Sequence, residues 1–462
     1  MAERRGDIIE QGASESQTEG RSDGRHDKPE WLRQRLDWFQ DRKFGLFLHW
    51  GMYCQWDCCE SWPLVEEDTW ARPDDMKCWA ERGRDYERFC ADYRALNRTF
   101  NPTDFDPVVW ADAARRAGME YVTFTTKHHD GFCMWDTATT QYKITGPDCP
   151  FHADPRSNIA RQVFDAFRAR DMAISCYFSK SDWHVPYYWD PSRPAHTRNP
   201  NYDTHAEAEL WEKFVQYTHG QIEELMTGYG PIDMLWLDGG QVRPPDQDIR
   251  MDEIAAMARR HQPGLIMADR TVGNDFEDFI TPEQMIPDMP PDGPWESCLT
   301  MGHSWKYVPD DDYKSTPELL RMLVEVVAKG GNLLLGVGPT PEGTLPAEAL
   351  RRLEEIGAWM EVNGEAIHGT RPVPPYRDGE AFYTAKGDRV YAILFAADEA
   401  GGVTLRGPAP RHQSQVQVLG RGKQVGCSAT DEGVRVALPP DVRGALAQGR
   451  PAVLRFETQG NH

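Results

Sequence analysis

Residues 234–240 read Met-Leu-Trp-Leu-Asp-Gly-Gly, four apolar residues closed by one carboxylate and two glycines. So short an apolar run with a turn directly behind it predicts a strand buried on both faces, because a half-solvated strand would alternate polar with apolar positions. The same texture recurs at 44–50 (FGLFLHW), 121–126 (YVTFTT), 173–178 (AISCYF), 265–269 (LIMAD), 299–305 (LTMGHSW) and 332–337 (NLLLGV). Helix-period segments lie between them, at 158–170, 206–227, 249–261, 316–329 and 347–361. About seven such β/α units predict the α/β class and a closed or nearly closed β/α barrel. An open doubly wound sheet ranks second, since the Gly-rich first turn of a dinucleotide site is missing.

From about residue 375 the texture becomes short alternating runs broken by Gly, Pro and Asp, among them AFYTAKGDRVYAILFA (381–396) and PAVLRFE (451–457). With no helix-period segment there, the reading is a small all-β sandwich at 376–462, joined to a barrel domain at 29–370 by the Pro-rich stretch HGTRPVPP (368–375). Residues 1–28, rich in Ser, Gly, Arg and Glu, are expected to be a disordered leader, having too little apolar surface to offset the entropy of ordering.

The 462 residues carry 73 acidic against 51 basic side chains, a net charge of −22. That balance argues against nucleic acid and against an anionic membrane as partners, both of which need clustered positive charge. A neutral substrate fits, and 16 Trp, 16 Tyr and 18 Phe supply faces for sugar rings beyond what a core needs. Ten cysteines follow no zinc-ribbon spacing, and neither a signal-peptide stretch nor a membrane-length apolar run is present. The expectation is a cytoplasmic protein with reduced thiols and no cofactor, for which a homo-oligomer remains compatible.

In a barrel of this type the reacting groups sit at the C-terminal ends of strands. Strand ends here carry His49-Trp50, Lys127-His128-His129-Asp130, Tyr177, Trp236 with Asp238, and Asp269-Arg270. Asp238 stands out because Gly239 and Gly240 let a ligand approach the backbone, although an Asp-Gly pair also serves as a turn or helix cap. The run 127–130 sets four ionisable groups in a row, which fits hydrogen bonding to a polyol. A metal site with His49 is the rival reading, disfavoured because adjacent histidines point to opposite sides of an extended strand. The segment 330–343, GGNLLLGVGPTPEG, lacks the P-loop Lys-Ser/Thr and reads as a barrel strand entering a turn.

Four stretches in order, FGLFLHWGMY (44–53), YVTFTTKHHDGF (121–132), DMLWLDG (233–239) and GGNLLLGVGPTPEGTLP (330–346), resemble the α-L-fucosidases of glycoside hydrolase family 29 over residues 38–370. The resemblance implies a retaining exo-glycosidase that acts on a fucoside, small or oligosaccharide, with Asp238 as nucleophile. It implies fucose-binding positions at His49, His128, His129, Tyr177, Trp236, Arg270 and Trp305, and less directly at Glu60 and Trp62. The retaining mechanism needs a second carboxyl, and both Glu283 and Glu296 match positions the family uses. Glu283 is preferred because its Pro-rich loop leaves it mobile and facing solvent. The family's Ser-Trp-Gly-Tyr is Ser304-Trp305-Lys306-Tyr307 here, its Leu-Asn-Val-Gly-Pro has Gly336 in place of Asn, and its Glu-Trp pair is Glu60-Ser61-Trp62. Two further readings stay beside this one: a non-catalytic fucose-binding protein on the same fold, and a glycosidase for a related sugar such as an L-galactoside.

Overall fold

The computed structural model describes residues 28–194, 197–411, 416–422 and 424–458. The expected leader lies outside these residues except for Lys28. Helix α1 (Glu30–Arg42) leads into β1 (Phe44–Leu48). The chain then runs through α2 (Lys77–Ala80), α3 (Tyr86–Arg94), α4 (Pro107–Arg116), β2 (Tyr121–Lys127), α5 (Ile159–Arg168), β3 (Ala173–Ser179), α6 (Ala208–Gly228) and β4 (Met234–Asp238). It continues with α7 (Met251–His261), β5 (Ile266–Asp269), β6 (Glu296–Thr300), α8 (Thr316–Ala328), β7 (Asn332–Val337) and α9 (Ala347–Asn363). Strands β1 to β7 form one parallel sheet in the order β5-β4-β3-β2-β1-β7-β6. The strand expected at 299–305 instead begins at Glu296 and ends at Thr300, so Trp305 stands on the loop beyond it.

The sheet curls on itself without β5 and β6 pairing directly. An irregular segment fills the place of an eighth strand. On one side the amide of Asp278 donates to the Met267 carbonyl at 2.8 Å; on the other the amides of Glu296 and Cys298 donate to Ile280 and Pro282 at 2.9 and 3.0 Å. Side chains that point inward from the strands, among them Phe47, Tyr121, Tyr177, Met234, Trp236, Ala268, Cys298 and Leu334, pack into one lumen cluster. Their alternate neighbours, such as Leu46, Leu48, Leu235 and Leu237, pack outward into the larger cluster beneath the helices. Both faces of each strand are therefore buried, which accounts for the unbroken apolar runs. Helix α1 seals the N-terminal end of the barrel with Leu32, Leu36 and Phe39, spaced to lie on one helical face. Only the end carrying the strands' C-termini remains for chemistry.

The Pro-rich stretch expected as a linker is instead part of a strand, β8 (Arg371–Asp378). It lies at the edge of a five-stranded sheet, where prolines lacking an N–H are tolerated. β9 (Ala381–Lys386) and β10 (Arg389–Leu394) follow, then β11 (Gly402–Leu405), β12 (Gln417–Val418), β13 (Cys427–Thr430), β14 (Gly433–Ala437), α10 (Pro440–Ala447) and β15 (Ala452–Glu457). The five-stranded sheet β12-β15-β10-β9-β8 and the three-stranded sheet β11-β14-β13 make the expected antiparallel domain. Helix α10 was not expected there; it buries only Val442 and Leu446, too short a pattern to announce a helix.

Candidate active site

Asp238 ends β4 at the open mouth of the barrel, and both of its oxygens are engaged. Oδ1 accepts from Arg270 at 3.0 Å and from the Gly239 amide at 2.8 Å. Oδ2 accepts from the Tyr177 hydroxyl at 2.7 Å and lies 3.6 Å from His129 Nε2. Burial alone would raise its carboxyl, but the Arg270 charge, His129 and the Tyr177 hydroxyl outweigh that and hold it well below the usual range. The other arm of the Arg270 guanidinium pairs with Glu283 Oε2, so one planar fork joins the two carboxylates. Glu283 Oε1 accepts from the Trp305 indole at 3.1 Å.

Glu283 sits in the irregular, solvent-facing stretch expected for it. Its backbone bridges to Cys298 in the segment that closes the barrel, so the main chain is pinned while 38% of the side chain stays exposed. Three non-glycine residues beside the site adopt left-handed backbone: Glu60 (φ 31°), Thr271 (φ 62°) after Arg270, and Gln284 (φ 53°) after Glu283. Each such residue costs on the order of 1 kcal/mol or more, a strain that recurs at functional sites.

The histidines line the opposite wall. His49 stacks on Trp305 with ring centroids 4.9 Å apart, and its Nδ1 is buried without a hydrogen-bond partner among the described residues. Burial lowers its pKa to about 3, so the ring is neutral and one nitrogen is free for a hydroxyl. Burial also lowers His128 well below the ordinary value. The adjacent His128 and His129 rings are only 4.7 Å apart and both face the cleft. The expectation that they diverge fails because β2 ends at Lys127 and a turn, with the Gly131 amide on the His128 carbonyl at 3.1 Å, replaces the extended backbone. Tyr177 stacks on Trp236 at 5.2 Å because the two are register partners in β3 and β4. Trp62 packs edge-on against His129 at 5.2 Å.

Glu60 is buried, its Oε1 accepting from the Lys306 amide at 3.1 Å; burial, partly offset by the Lys306 charge, pushes its carboxyl up to about 7. The Lys306 ammonium turns away to the Trp56 carbonyl at 2.6 Å, so the cation does not enter the cleft through its side chain.

Glu296 lies elsewhere. It is the first residue of β6, below the mouth, 1% exposed, and its carboxyl accepts from Tyr121 Oη at 2.5 Å and Trp236 Nε1 at 3.1 Å. Lys127 and Asp130 also leave the cleft: Lys127 pairs with Asp182 at 3.1 Å behind the strand, and Asp130 accepts from Tyr93 at 3.0 Å and from the Phe132 amide at 3.0 Å. Only half of the ionisable run 127–130 therefore faces the site. Three residues not expected at the site also line it: Ser61 and Ser181, whose hydroxyls contact Nδ1 of His128 at 2.5 Å and of His129 at 2.7 Å and orient both rings, and Trp183, 4.9 Å from the His129 ring. The polar run Ser179 to Asp182 directly after an apolar strand was the available signal for Ser181. Among the described residues no three His, Cys, Asp or Glu side chains converge as a metal cluster would.

The chain is similar to known proteins over most of its length. The family model described as alpha-L-fucosidase matches residues 13–365. Human tissue alpha-L-fucosidase is 28% identical over 465 residues, covering 93% of this chain and 91% of that protein. The solved structure of alpha-L-fucosidase isoenzyme 1 from Paenibacillus thiaminolyticus is 32% identical, with a TM-score of 0.74, covering 93% of this chain and all of that one. A family 29 alpha-L-fucosidase from Bacteroides thetaiotaomicron, solved as a trapped covalent intermediate, shares the fold at 22% identity and a TM-score of 0.73 over 94% of this chain and 97% of that one.

Proposed function

The chain belongs to the α-L-fucosidase family, whose members release α-L-fucose, and we propose that here Asp238 is the nucleophile and Glu283 the acid/base of a retaining exo-hydrolysis. The observation that carries the pairing is the single Arg270 guanidinium shared by Asp238 and Glu283. Retaining enzymes hold their two carboxyls about 5 to 5.5 Å apart, and two groups on one guanidinium fall on that scale. Glu283 keeps solvent access for the incoming water, whereas Glu296 is sealed in the lumen by Tyr121 and Trp236.

An Asp238 oxygen attacks the anomeric carbon as the glycosidic bond breaks, and Glu283 delivers its proton to the departing oxygen. In the second step Glu283 takes a proton from water, the oxygen of that water attacks the same carbon, and Asp238 leaves as a carboxylate. The depressed pKa of Asp238 suits both halves, because the group must be ionised to attack and stable when it leaves. His49, His128 and His129 bind the ring hydroxyls, and Tyr177, Trp236 and Trp305 enclose the apolar face and the C5 methyl. Ten unpaired cysteines support a reducing, cytoplasmic setting, which cell fractionation would check.

The decisive assay is release of p-nitrophenol from its α-L-fucoside by Asp238→Ala. The expected loss is about a thousandfold or more with the fold unchanged by circular dichroism. Full activity in that variant would overturn the assignment.

A further inference from the structure

Two tryptophans among the described residues are large and exposed, and one of them, Trp70, stands beside the cleft with 40% of its surface open. It belongs to a short helical turn, Thr69–Ala71, in the long excursion after β1. Its ring centroid is 6.0 Å from that of Trp62, which in turn packs against His129. Its orientation is fixed. The indole N–H donates to Asp68 Oδ1 at 3.1 Å, and the buried Asp68 carboxylate receives two bonds from Arg198, both 2.9 Å. The same guanidinium lies 4.6 Å over the Trp62 ring. The Arg198 carbonyl accepts from the Trp183 indole at 3.2 Å, so the network is tied to the wall of the cleft at a second point.

We propose that Trp70, held by the Asp68–Arg198 pair, is the platform on which the part of the substrate outside the fucose pocket rests, and that it selects a neutral pyranose there. The inference rests on the fucosidase reading above. An exposed indole loses apolar contact with nothing in return unless a partner covers it, and here a buried, doubly bonded carboxylate holds the indole in one orientation. A preorganised aromatic face fits the C–H face of a sugar. Because Asp68 balances the charge of Arg198, the ledge offers no net attraction to a sulfated or carboxylated ring.

Two substrates separate this role from a structural one. α-L-Fucosyl fluoride has nothing beyond the fucose to reach Trp70, whereas a fucosylated neutral trisaccharide does. Trp70→Ala is expected to lower kcat/KM about tenfold on the trisaccharide, while the fluoride changes less than about twofold and Trp70→Phe keeps most of the trisaccharide activity. A sulfated trisaccharide should be a poorer substrate for the parent enzyme than the neutral one. Equal losses on fluoride and trisaccharide, or no loss on either, would overturn the proposal. A parent enzyme inactive on the fluoride would instead refute the fucosidase reading itself.

Discussion

Glu283 and Glu296 are the same side chain in opposite settings. Glu283 meets a cation and solvent at the mouth; Glu296 meets a phenol and an indole inside the barrel. In Glu283→Ala, aryl fucosides with good leaving groups should still form the fucosyl-enzyme, and added azide should restore turnover and yield a fucosyl azide. Azide-independent turnover at the parent rate would exclude Glu283. For Glu296 the expectation concerns stability. Burial pushes its carboxyl from 4.5 up to about 7, so across that window the folded chain keeps a proton that the unfolded chain has lost. Folded-state stability from this group therefore falls as pH rises from 4.5 through about 7. Glu296→Gln, neutral at every pH, removes that dependence. Its melting midpoint relative to the parent should rise between pH 5 and pH 8 while activity persists, and a constant difference would show that the carboxyl is not the source. Asp238, held below the ordinary range, contributes the opposite way: its stabilisation is present above the usual carboxylate value and lost only as pH falls through its depressed one. The acid limb of activity should accordingly not be set by Asp238.

At the scale of elements, β7 serves the site by what it omits. A Cβ on Gly336 would stand 2.7 Å from the Trp305 ring, and one on Gly338 would stand 2.1 Å from the backbone of Lys306 and Tyr307. Both glycines let the loop after β6 lie directly against β7, which brings the Trp305 indole to Glu283. This accounts for the Gly-rich segment without a phosphate. Gly336→Ala should push Trp305 off Glu283 and lower kcat about tenfold or more, since displacements near 1 Å are costly at a reacting centre. An unchanged kcat, measured with the p-nitrophenyl fucoside, would show that the Trp305 contact is dispensable. The segment between β5 and β6 follows a related logic, for its hydrogen bonds to both neighbours turn an irregular stretch into a rigid mount for Glu283.

At the scale of the molecule, the two domains share a core. Phe382, Tyr391, Ile393 and Val453 point from the five-stranded sheet into the outer cluster of the barrel, while Tyr383, Ala392, Leu394 and Leu454 point into the sandwich's own core. The Trp359 indole of α9 donates to the Pro451 carbonyl at 2.8 Å, and Arg321 of α8 pairs with Glu380. Each large apolar side chain buried there contributes roughly 1.5–3 kcal/mol, so the barrel face under the sandwich depends on its cover. A chain ending at residue 370 should be insoluble or melt well below the parent. Retention of the parental melting midpoint and activity would show the sandwich to be a separable appendage.

The strands, their burial on both faces and the order of the motifs were legible in the amino-acid sequence, because each is a local pattern of apolar residues and turns. Asp238 could be picked out for the same reason: it closes a strand, and barrel chemistry sits at strand ends. Only the folded chain gave Glu283 and Glu296 their opposite settings, divided the run 127–130 into two cleft histidines and two outward-turned charges, and made the Pro-rich stretch an edge strand. Those outcomes depend on which strand end a side chain reaches and what meets it there, and the groups that meet can lie far apart in the chain, 22 residues for Trp305 on Glu283 and 175 for Tyr121 on Glu296. No local periodicity encodes such a meeting.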